Sequence, residues 1–576
     1  MKNITSIIFL ITIFNTHAQV ILKDTVITWR TFEYTLNDDN SIDSFSPEPF
    51  DTTSVKFNAY ILENEYLKIL LLPEFGGRIL SLIYKPTGHE QLYRNPVGVP
   101  YGVGQDWFYY KWLMVYGGIF PTLTEPEHGK AWLLPWEFKV VRQSEDSIKC
   151  VMRWRDTVEF KNADPNKWKY GITDIECNYY ITLVKGSSVL KTEVELKNNK
   201  NETVEYEYWT CITLAPGSDR NNPFCTDGLE IIVPADKIKI PAWYPDIARQ
   251  EKHVTGQRGV YYFDKLRLWK NWVNDGIAYV WDDENLNYWG VINHDNEEGL
   301  IRVADNNITP GIKIWAWKFD DYENVNPFEN PDNVKRPYVE LWAGNSHEFF
   351  EPAILSAGST LKWRETFFPT VKLNKITKAN YNFILSIDTA GFFYNKEFEV
   401  IFVTDNPGDE HIVIIEAEGD TNYTVSEINL MPDPRKGNEV LLKIPDDVFN
   451  NNIDSLRVKV ANLYRNKSID VAVSPDKITS VKESGAEIAN EFYLKQNYPN
   501  PFNPVTNIEY YIPETGNVKI VVFDALGKEA ETIYHGNQIE GKHIVSWNGS
   551  QYASGIYFYG IYYNGKSKVR KMILMK

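Results

Sequence analysis

Read for alternation alone, the chain is a succession of short strands. Runs such as YLKILLLPE (66–74), IKCVMRWRDTV (148–158), NYYITLV (178–184), VLKTEVELKN (189–198) and GIAYVWDD (276–283) are separated by Gly, Pro, Asn and Asp. Apolar residues at every second position mark a half-buried strand, and no stretch carries the 3.6-residue period of a long amphipathic helix. This texture runs from residue 20 to about 370. It is too long for one simple sandwich and predicts a large two-sheet β-structure.

From 371 to 476 the alternation is cleaner. SLRVKVAN (455–462) sets Leu456, Val458 and Val460 against Arg457 and Lys459, and SIDVAVS (468–474) alternates Ile469, Val471 and Val473 with polar residues. With EFEVIFVTD and HIVIIEAEG, roughly 100 residues hold six or more short strands, which predicts an immunoglobulin-like sandwich. Periodicity is lost over 477–491, a linker, and returns over 492–576 as a third small β-domain. At the other end, MKNITSIIFLITIFNTHAQV places Lys2 before an apolar run (7–14) and Thr16-His17-Ala18 before Gln19. Residues 1–18 read as a secretory signal, too short to span a bilayer. No other apolar run approaches the ~18 residues that spanning needs, so the mature chain is expected to lack a membrane span. The expected body of the protein is therefore 19–370.

One stretch interrupts the pattern. YGGIFPTLTEPEHGKAWLLPWEF (116–138) combines Gly117 and Gly118 with prolines, acids and a single histidine. Proline removes backbone donors and glycine frees the backbone, so this segment is expected to form a loop that projects His128. Glu125 and Glu127, if extended, would face one side about 7 Å apart.

Composition narrows the partners. The 576 residues carry a formal charge of −17, with 43% hydrophobic residues. An acidic chain is a poor partner for nucleic acid or an anionic membrane, which leaves a neutral ligand or a cation. Aromatics reach 14%, with 18 Trp and 35 Tyr. They suit large β cores or flat platforms for sugar rings. Cys150, Cys177, Cys211 and Cys225 stand either as disulfides, with three full pairings possible, or as buried free thiols. Their spacing is unlike a zinc site. No phosphate loop, nucleophile elbow, H-E-x-x-H pair or EF-hand loop occurs, and Asp320-Asp321 reads as a solvated turn. Neither a metal nor a cofactor is expected.

Two resemblances add to this reading. Asn497-Tyr498-Pro499-Asn500-Pro501-Phe502-Asn503-Pro504, followed by Thr506, Ile508, Val518, Ile520, Phe523-Asp524, Gly527, Trp547, Gly549 and Ser554-Gly555-Ile556-Tyr557, resembles the type A sorting domain of type IX secretion in Bacteroidota. That resemblance implies the type IX machinery as a partner of residues 492–576. It also implies a protein secreted or attached to the outer-membrane surface. The second resemblance rests on LLPEFGGRILSLIYKPTGHEQLYRNP (71–96), YGGIFPTLTEPEHG (116–129), YWGVINHDNEEGLIRVADNNITPGIKIWAWKFDD (288–321) and RPYVELWAG (336–344). Together these are similar to the galactose mutarotase-like superfamily over about 45–370.

The second resemblance implies an antiparallel supersandwich with a sugar cleft on its concave face. The all-β expectation is thus a supersandwich followed by two small immunoglobulin-like sandwiches. In such a site a base takes the anomeric proton and an acid protonates the ring oxygen. Glu340 matches the family's late glutamate, the base. His128 matches an acid or ligand, and Arg78, Trp209, His294, Trp315 and Trp317 are the substrate-binding candidates. The strand 206–216, where the family carries a further histidine, has none, so the Glu–His pair is incomplete unless His128 or His294 substitutes. The expected function is an exported carbohydrate-active protein. It would bind a neutral sugar or glycan end, with glutamate-based chemistry of an epimerase-like or glycoside-cleaving kind. The alternative is a non-catalytic surface glycan-binding or adhesion protein.

Overall fold

The computed structural model describes residues 19–575 except 39–41, 46–51, 95–96, 102–111, 115–116, 126–127, 133, 160–169, 220–224, 242–258, 265, 273–275, 284–286, 318–337, 389–395, 420–422, 446–452, 474–491, 496, 498–499, 501, 526, 539–540 and 565. The signal at 1–18, the linker at 477–491, Glu127 and Asp320-Asp321 lie outside the described residues. Two compact units are present, Met1–Ser484 and Gly485–Lys576. Among the described residues no α-helix occurs.

The first unit is built on a 15-stranded and an eight-stranded sheet. The larger sheet passes in order through Gly311–Trp317, Tyr338–Gly344, Val204–Ser218, Ile119–Thr124, Arg78–Tyr84, Leu67–Leu72, Thr52–Glu63 and Ile21–Phe32. The smaller runs through Glu137–Gln143, Ser147–Arg155, Ile175–Val184, Leu190–Asn198, Thr360–Val371, Glu298–Ala304, Tyr288–Asn293 and Leu229–Ile232. Leu67, Ile69, Leu71, Ile79, Ile119 and Leu123 pack with Ile148, Met152, Ile181 and Val194 in the shared core. An ion pair is set into that core. Arg302 Nε donates to Glu365 Oε1 at 2.9 Å, and the guanidinium lies over the Trp289 ring.

All four cysteines are free and buried. Cys150 faces Ile181 and Cys177 faces Trp154 across neighbouring strands, so neither sits opposite the other. Burial raises the thiols of Cys150 and Cys225 to about 12 and pushes Cys177 and Cys211 well above their ordinary value. They behave as small apolar core residues.

The expected loop at 116–138 holds a strand. Ile119–Thr124 is buried throughout and pairs along its length with Val204–Ser218, Pro121 opposite Thr210. On its other edge only Ile119 pairs, with Ile79. Proline has no N–H to give a ladder, and here that edge asks for none beyond Ile119.

Residues 378–473 of the first unit form two four-stranded sheets, with Phe383, Leu385, Val400, Phe402, Val413, Ile415, Leu456, Val458 and Val460 between them. This small sandwich is docked on the eight-stranded sheet. Ile301, Val303, Phe368 and Ile292 pack against Ile384, Leu373 and Ile401. Asp405 is buried at the junction, taking Lys191 at 3.1 Å and Lys467 at 2.7 Å, and Ser188 Oγ donates to Thr404 O at 2.9 Å.

In the second unit, the sheets order as Tyr493–Leu494, Val505–Ile512, Gly541–Asn548 and as Glu529–Gln538, Gly516–Phe523, Gly555–Tyr563, Lys566–Leu574. The proline-rich box fastens the last strand. Ile573 N donates to Asn500 Oδ1 at 2.8 Å, Phe502 N to Ile573 O at 3.0 Å and Met575 N to Phe502 O at 2.9 Å. Asn497 Nδ2 donates to Thr506 Oγ1 at 2.9 Å, and Phe502 packs on Trp547.

Ile301 is fully buried where the small sandwich meets the sheet. Ile301→Ala is expected to cost roughly 2–5 kcal/mol. A urea titration should show the midpoint falling while residues 19–473 still unfold in one transition.

Candidate functional site

The Val204–Ser218 strand lies at the middle of the large sheet and both its faces are buried. Tyr206, Tyr208, Ile212 and Leu214 join the shared core. The intervening Glu207, Trp209, Cys211 and Thr213 therefore project from the opposite face. Register carries that face across neighbouring strands. Cys211 lies between Phe120 and Trp342, Thr213 lies opposite Glu340, Trp315 opposite Glu340, and Lys313 opposite Trp342. Glu207, Glu340 and Lys313 are all buried there.

Trp209 is seated by absence of side chains. Gly311 and Gly344 are directly opposite each other, and a Cβ on either would come within 2.6 and 2.4 Å of the indole ring. Its Nε1 donates to Glu207 Oε2 at 3.2 Å, and Phe349 meets its ring edge-on at 4.9 Å. Trp209 is thus a packed wall of the cluster and offers no open face to a sugar.

Glu340 is held by its own strand. Trp342 Nε1 donates to Glu340 Oε2 at 2.8 Å and Tyr338 OH to Glu340 Oε1 at 3.2 Å, both from residues two positions away on the same face. The Trp342 ring also carries a cation. Lys313 Nζ sits 3.9 Å from its centroid, 4.3 Å from that of Phe349 and 4.9 Å from that of Trp315. Cation–π attraction of this kind strengthens when the cation is desolvated.

His128 reaches the same face from the turn after Thr124. Lys130 N and Ala131 N both donate to Leu123 O, at 2.8 and 3.1 Å, folding the chain back on its strand. Gly129, at φ +63°, lies so close that a Cβ would be 2.4 Å from Leu123 N. The turn is anchored by a buried ion pair. Lys130 Nζ contacts both Asp156 oxygens at 2.9 Å, and Asp156 also accepts from Thr124 Oγ1 at 3.0 Å and Thr173 Oγ1 at 2.8 Å. His128 then stands edge-on to Trp132 and Trp342, at 3.9 and 5.5 Å between centroids. Burial, then the charges of Lys313 and Arg78, push its imidazole well below the usual range, so it is neutral at pH 7.

Arg78 has a different part from the expected sugar ligand. It is fully buried, and its Nε, Nη1 and Nη2 donate to the carbonyls of Phe75, Gly117 and Trp132 at 2.8, 3.3 and 3.3 Å. The guanidinium lies over Phe120 at 4.5 Å. Arg78 clamps the two segments that flank the His128 turn. His294 is also displaced from expectation. It lies in the turn after Tyr288–Asn293 on the smaller sheet, half-exposed, with Nε2 2.7 Å from Glu230 Oε2. That hydrogen bond raises its pKa.

The cluster therefore brings together Glu340, His128, Trp209, Arg78 and half-buried Trp315. His294 lies on the other sheet, and the Trp317 side chain is outside the described residues. Glu125 is buried nearby and accepts from Tyr170 N at 3.2 Å. Lys313, Trp342, Glu207, Phe349 and Trp132 are members that the sequence reading did not single out. Alternation in GIKIWAW held a signal for Lys313, because burying Ile312 and Ile314 puts Lys313 and Trp315 together on the far face. No comparable pattern marks Phe349, which lies outside any strand.

Residues 40–381 match the family described as Domain of unknown function (DUF5107). The chain belongs to the DUF5107 family. Residues 496–575 match the secretion system C-terminal sorting domain, which addresses this DUF5107 protein through type IX secretion to the cell surface or the extracellular space. Among solved structures, it is similar to a TPR-domain-containing protein from Parabacteroides distasonis at 17% identity and TM-score 0.46, covering 61% of this chain and 55% of that one. The chain thus spans about half the length of that relative. It is also similar to a putative aldose 1-epimerase from Klebsiella pneumoniae (14% identity, TM-score 0.38, 60% of this chain and 91% of that one). A galactose mutarotase-like protein from Lactobacillus casei is similar at 10% identity and TM-score 0.33, covering 54% of this chain and 99% of that one.

Removing the cation from the buried anchor by Lys130→Met is expected to cost roughly 3–5 kcal/mol, because Asp156 is left charged and uncompensated. Hydrogen exchange should then quicken at the amides of 128–132. His128 generates a pH dependence. The unfolded imidazole titrates near 6.5 and the folded one well below, so the unfolded state binds more protons as pH falls. Stability should therefore drop below pH ~6.5, by at most about 1.4 kcal/mol per pH unit from this group. His128→Gln should flatten the urea midpoints between pH ~6.5 and 5.

Proposed function

We propose that this protein binds the reducing end of a glycan outside the cell, on the aromatic face of its large sheet, with Glu340 as the base for the anomeric hydroxyl. The observation that carries the reading is the setting of Glu340. A carboxylate is held by Trp342 Nε1 and Tyr338 OH, on one face with Trp315, Lys313 and His128. Two fixed donors orient the carboxylate, as a base at a reacting centre requires. Trp315 is the half-buried ring at this end of the cluster, and a pyranose can lay its C–H face on such a ring. The motifs at 71–96, 116–129 and 336–344 and the end of the one at 288–321 support the same reading, since they supply Arg78–Tyr84, the His128 turn, Tyr338–Gly344 and Gly311–Trp317.

A second reading, glycan binding without turnover, is favoured by one observation. His128 is neutral and packed edge-on between indoles, so it is not a ready proton donor. Calorimetry and a turnover assay on one sugar panel separate the two. Under the catalytic reading, Glu340→Gln lowers kcat by about 10²–10⁴-fold with binding retained. Turnover equal to wild type removes Glu340 from the chemistry, and binding without wild-type turnover favours the second reading.

A further inference from the structure

We propose that the outer face of the four-stranded sheet in the second unit is a docking surface, and that its partner is a protein surface of the type IX machinery with an apolar centre and an acidic rim.

Alternation builds the face. Val518, Ile520, Tyr559, Ile561, Met572 and Leu574 fill the core of this unit. The residues between them on the neighbouring strands Gly516–Phe523, Gly555–Tyr563 and Lys566–Leu574 therefore point the other way. Register sets these side by side. Gly560 lies between Val521 and Val569, Phe523 lies opposite Phe558, and Ile556 lies opposite Ile573. Val569, Ile556 and Tyr562 are 55, 46 and 41% exposed, while Phe523 and Phe558 are half-buried. The patch is contiguous across the strands. A Cβ on Gly560 would lie 3.3 Å from the Val569 side chain and 3.5 Å from that of Phe523, so the two close in over a low centre.

Other sheet faces of this protein meet water with polar pairs. On the second sheet of the same unit, Ser546 Oγ donates to Asn507 Oδ1 at 2.6 Å and Lys495 pairs with Glu509 at 3.1 Å. On the eight-stranded sheet, Glu137 pairs with Arg153 and Lys149 with Glu193, each at 3.0 Å. A grouped set of exposed aliphatic and aromatic side chains is unfavourable in water and marks a surface that a partner covers.

Charge defines the partner. Lys571 lies opposite Phe558 on the face itself, and Lys566, Lys568 and Arg570 stand exposed along the same edge strand. On the far side Lys519 pairs with Glu529 at 3.6 Å, so the excess is basic and lies along one edge. Residues 492–576 carry nine Lys and Arg against six Asp and Glu, within a chain of net charge −17. Two copies joined through this face would set like charges together, whereas carboxylates around an apolar centre would complement it. Residues 496–575 are a sorting domain, which acts by being bound by the secretion machinery, and that machinery supplies the occupant.

The test follows export of the full chain in a type IX-secreting host, by immunoblot of periplasmic, surface and medium fractions. Ile556→Ser, Tyr562→Ser and Val569→Ser combined should lower the exported amount at least about tenfold, with the chain held in the periplasm. Asn507→Ala with Ser546→Ala, on the other sheet, should be exported as wild type. Melting of the purified full chain should stay within about 2 °C for the triple variant, since only exposed side chains change. Export of that variant within about threefold of wild type, or an equal loss from the Asn507 and Ser546 substitutions, overturns the proposal. Lys571→Glu should lower export at least about fivefold while Lys571→Arg retains it, and this comparison decides if the triple substitution destabilises the chain. A photoreactive residue in place of Tyr562 should cross-link, in secreting cells, to an outer-membrane component of the machinery. A dimer in light scattering that the triple substitution dissolves overturns the assignment in favour of a second copy. Flotation of the wild-type chain, and not of the triple variant, with phosphatidylglycerol vesicles overturns it in favour of a lipid surface.

Discussion

A central strand with two buried faces is the constraint behind this site. Val204–Ser218 cannot turn either side to water, so the side chains alternating along it must satisfy two different interiors. One interior is the aliphatic space between the sheets. The other holds Glu207, Trp209 and Cys211 and, from neighbouring strands, Phe120, Trp342, Glu340 and Lys313. Buried charges persist only where donors, acceptors or aromatic faces replace water. The second interior meets that demand with indole and phenol donors for the carboxylates and ring faces for the ammonium.

The same demand accounts for the segment around His128. Lys130 and Asp156 form a buried pair that Thr124 and Thr173 complete, and Arg78 spends its donors on three carbonyls of the surrounding turns. Two charged side chains thus act as fasteners for an irregular stretch that has few ladder bonds of its own. Gly129, Gly311 and Gly344 serve the complementary purpose, giving up side chains where a backbone or an indole must come close. The outcome is a face whose carboxylates are held by fixed indole and phenol donors.

The all-β character, the alternation at 455–473 and the sorting tail could be read from the sequence because each has a local cause. Period two reports a half-buried strand wherever it occurs, and Leu456, Val458 and Val460 are indeed fully buried. Glu340 and His128 were singled out through short motifs, and both side chains meet Trp342. Pro121 misled, since a proline and two glycines argue for a loop, yet the strand Ile119–Thr124 tolerates Pro121 on an edge that carries almost no ladder. Arg78 and Trp209 were chosen for chemistry that their residue types allow. The packing around them assigned a clamp and a wall instead.

By itself the sequence determined the all-β character, the alternation along strands such as Ile453–Asn462, and that the chain carries a secretion tail. Those properties depend on neighbours one or two residues away, or on summed composition. Only the tertiary structure decided which strands lie side by side, and hence that Lys313, Trp342, Glu340 and His128 share one face while His294 sits on the other sheet beside Glu230. It also left all four cysteines as separate buried thiols. Contacts between residues far apart in the chain depend on sheet order and register, and no local pattern encodes either one.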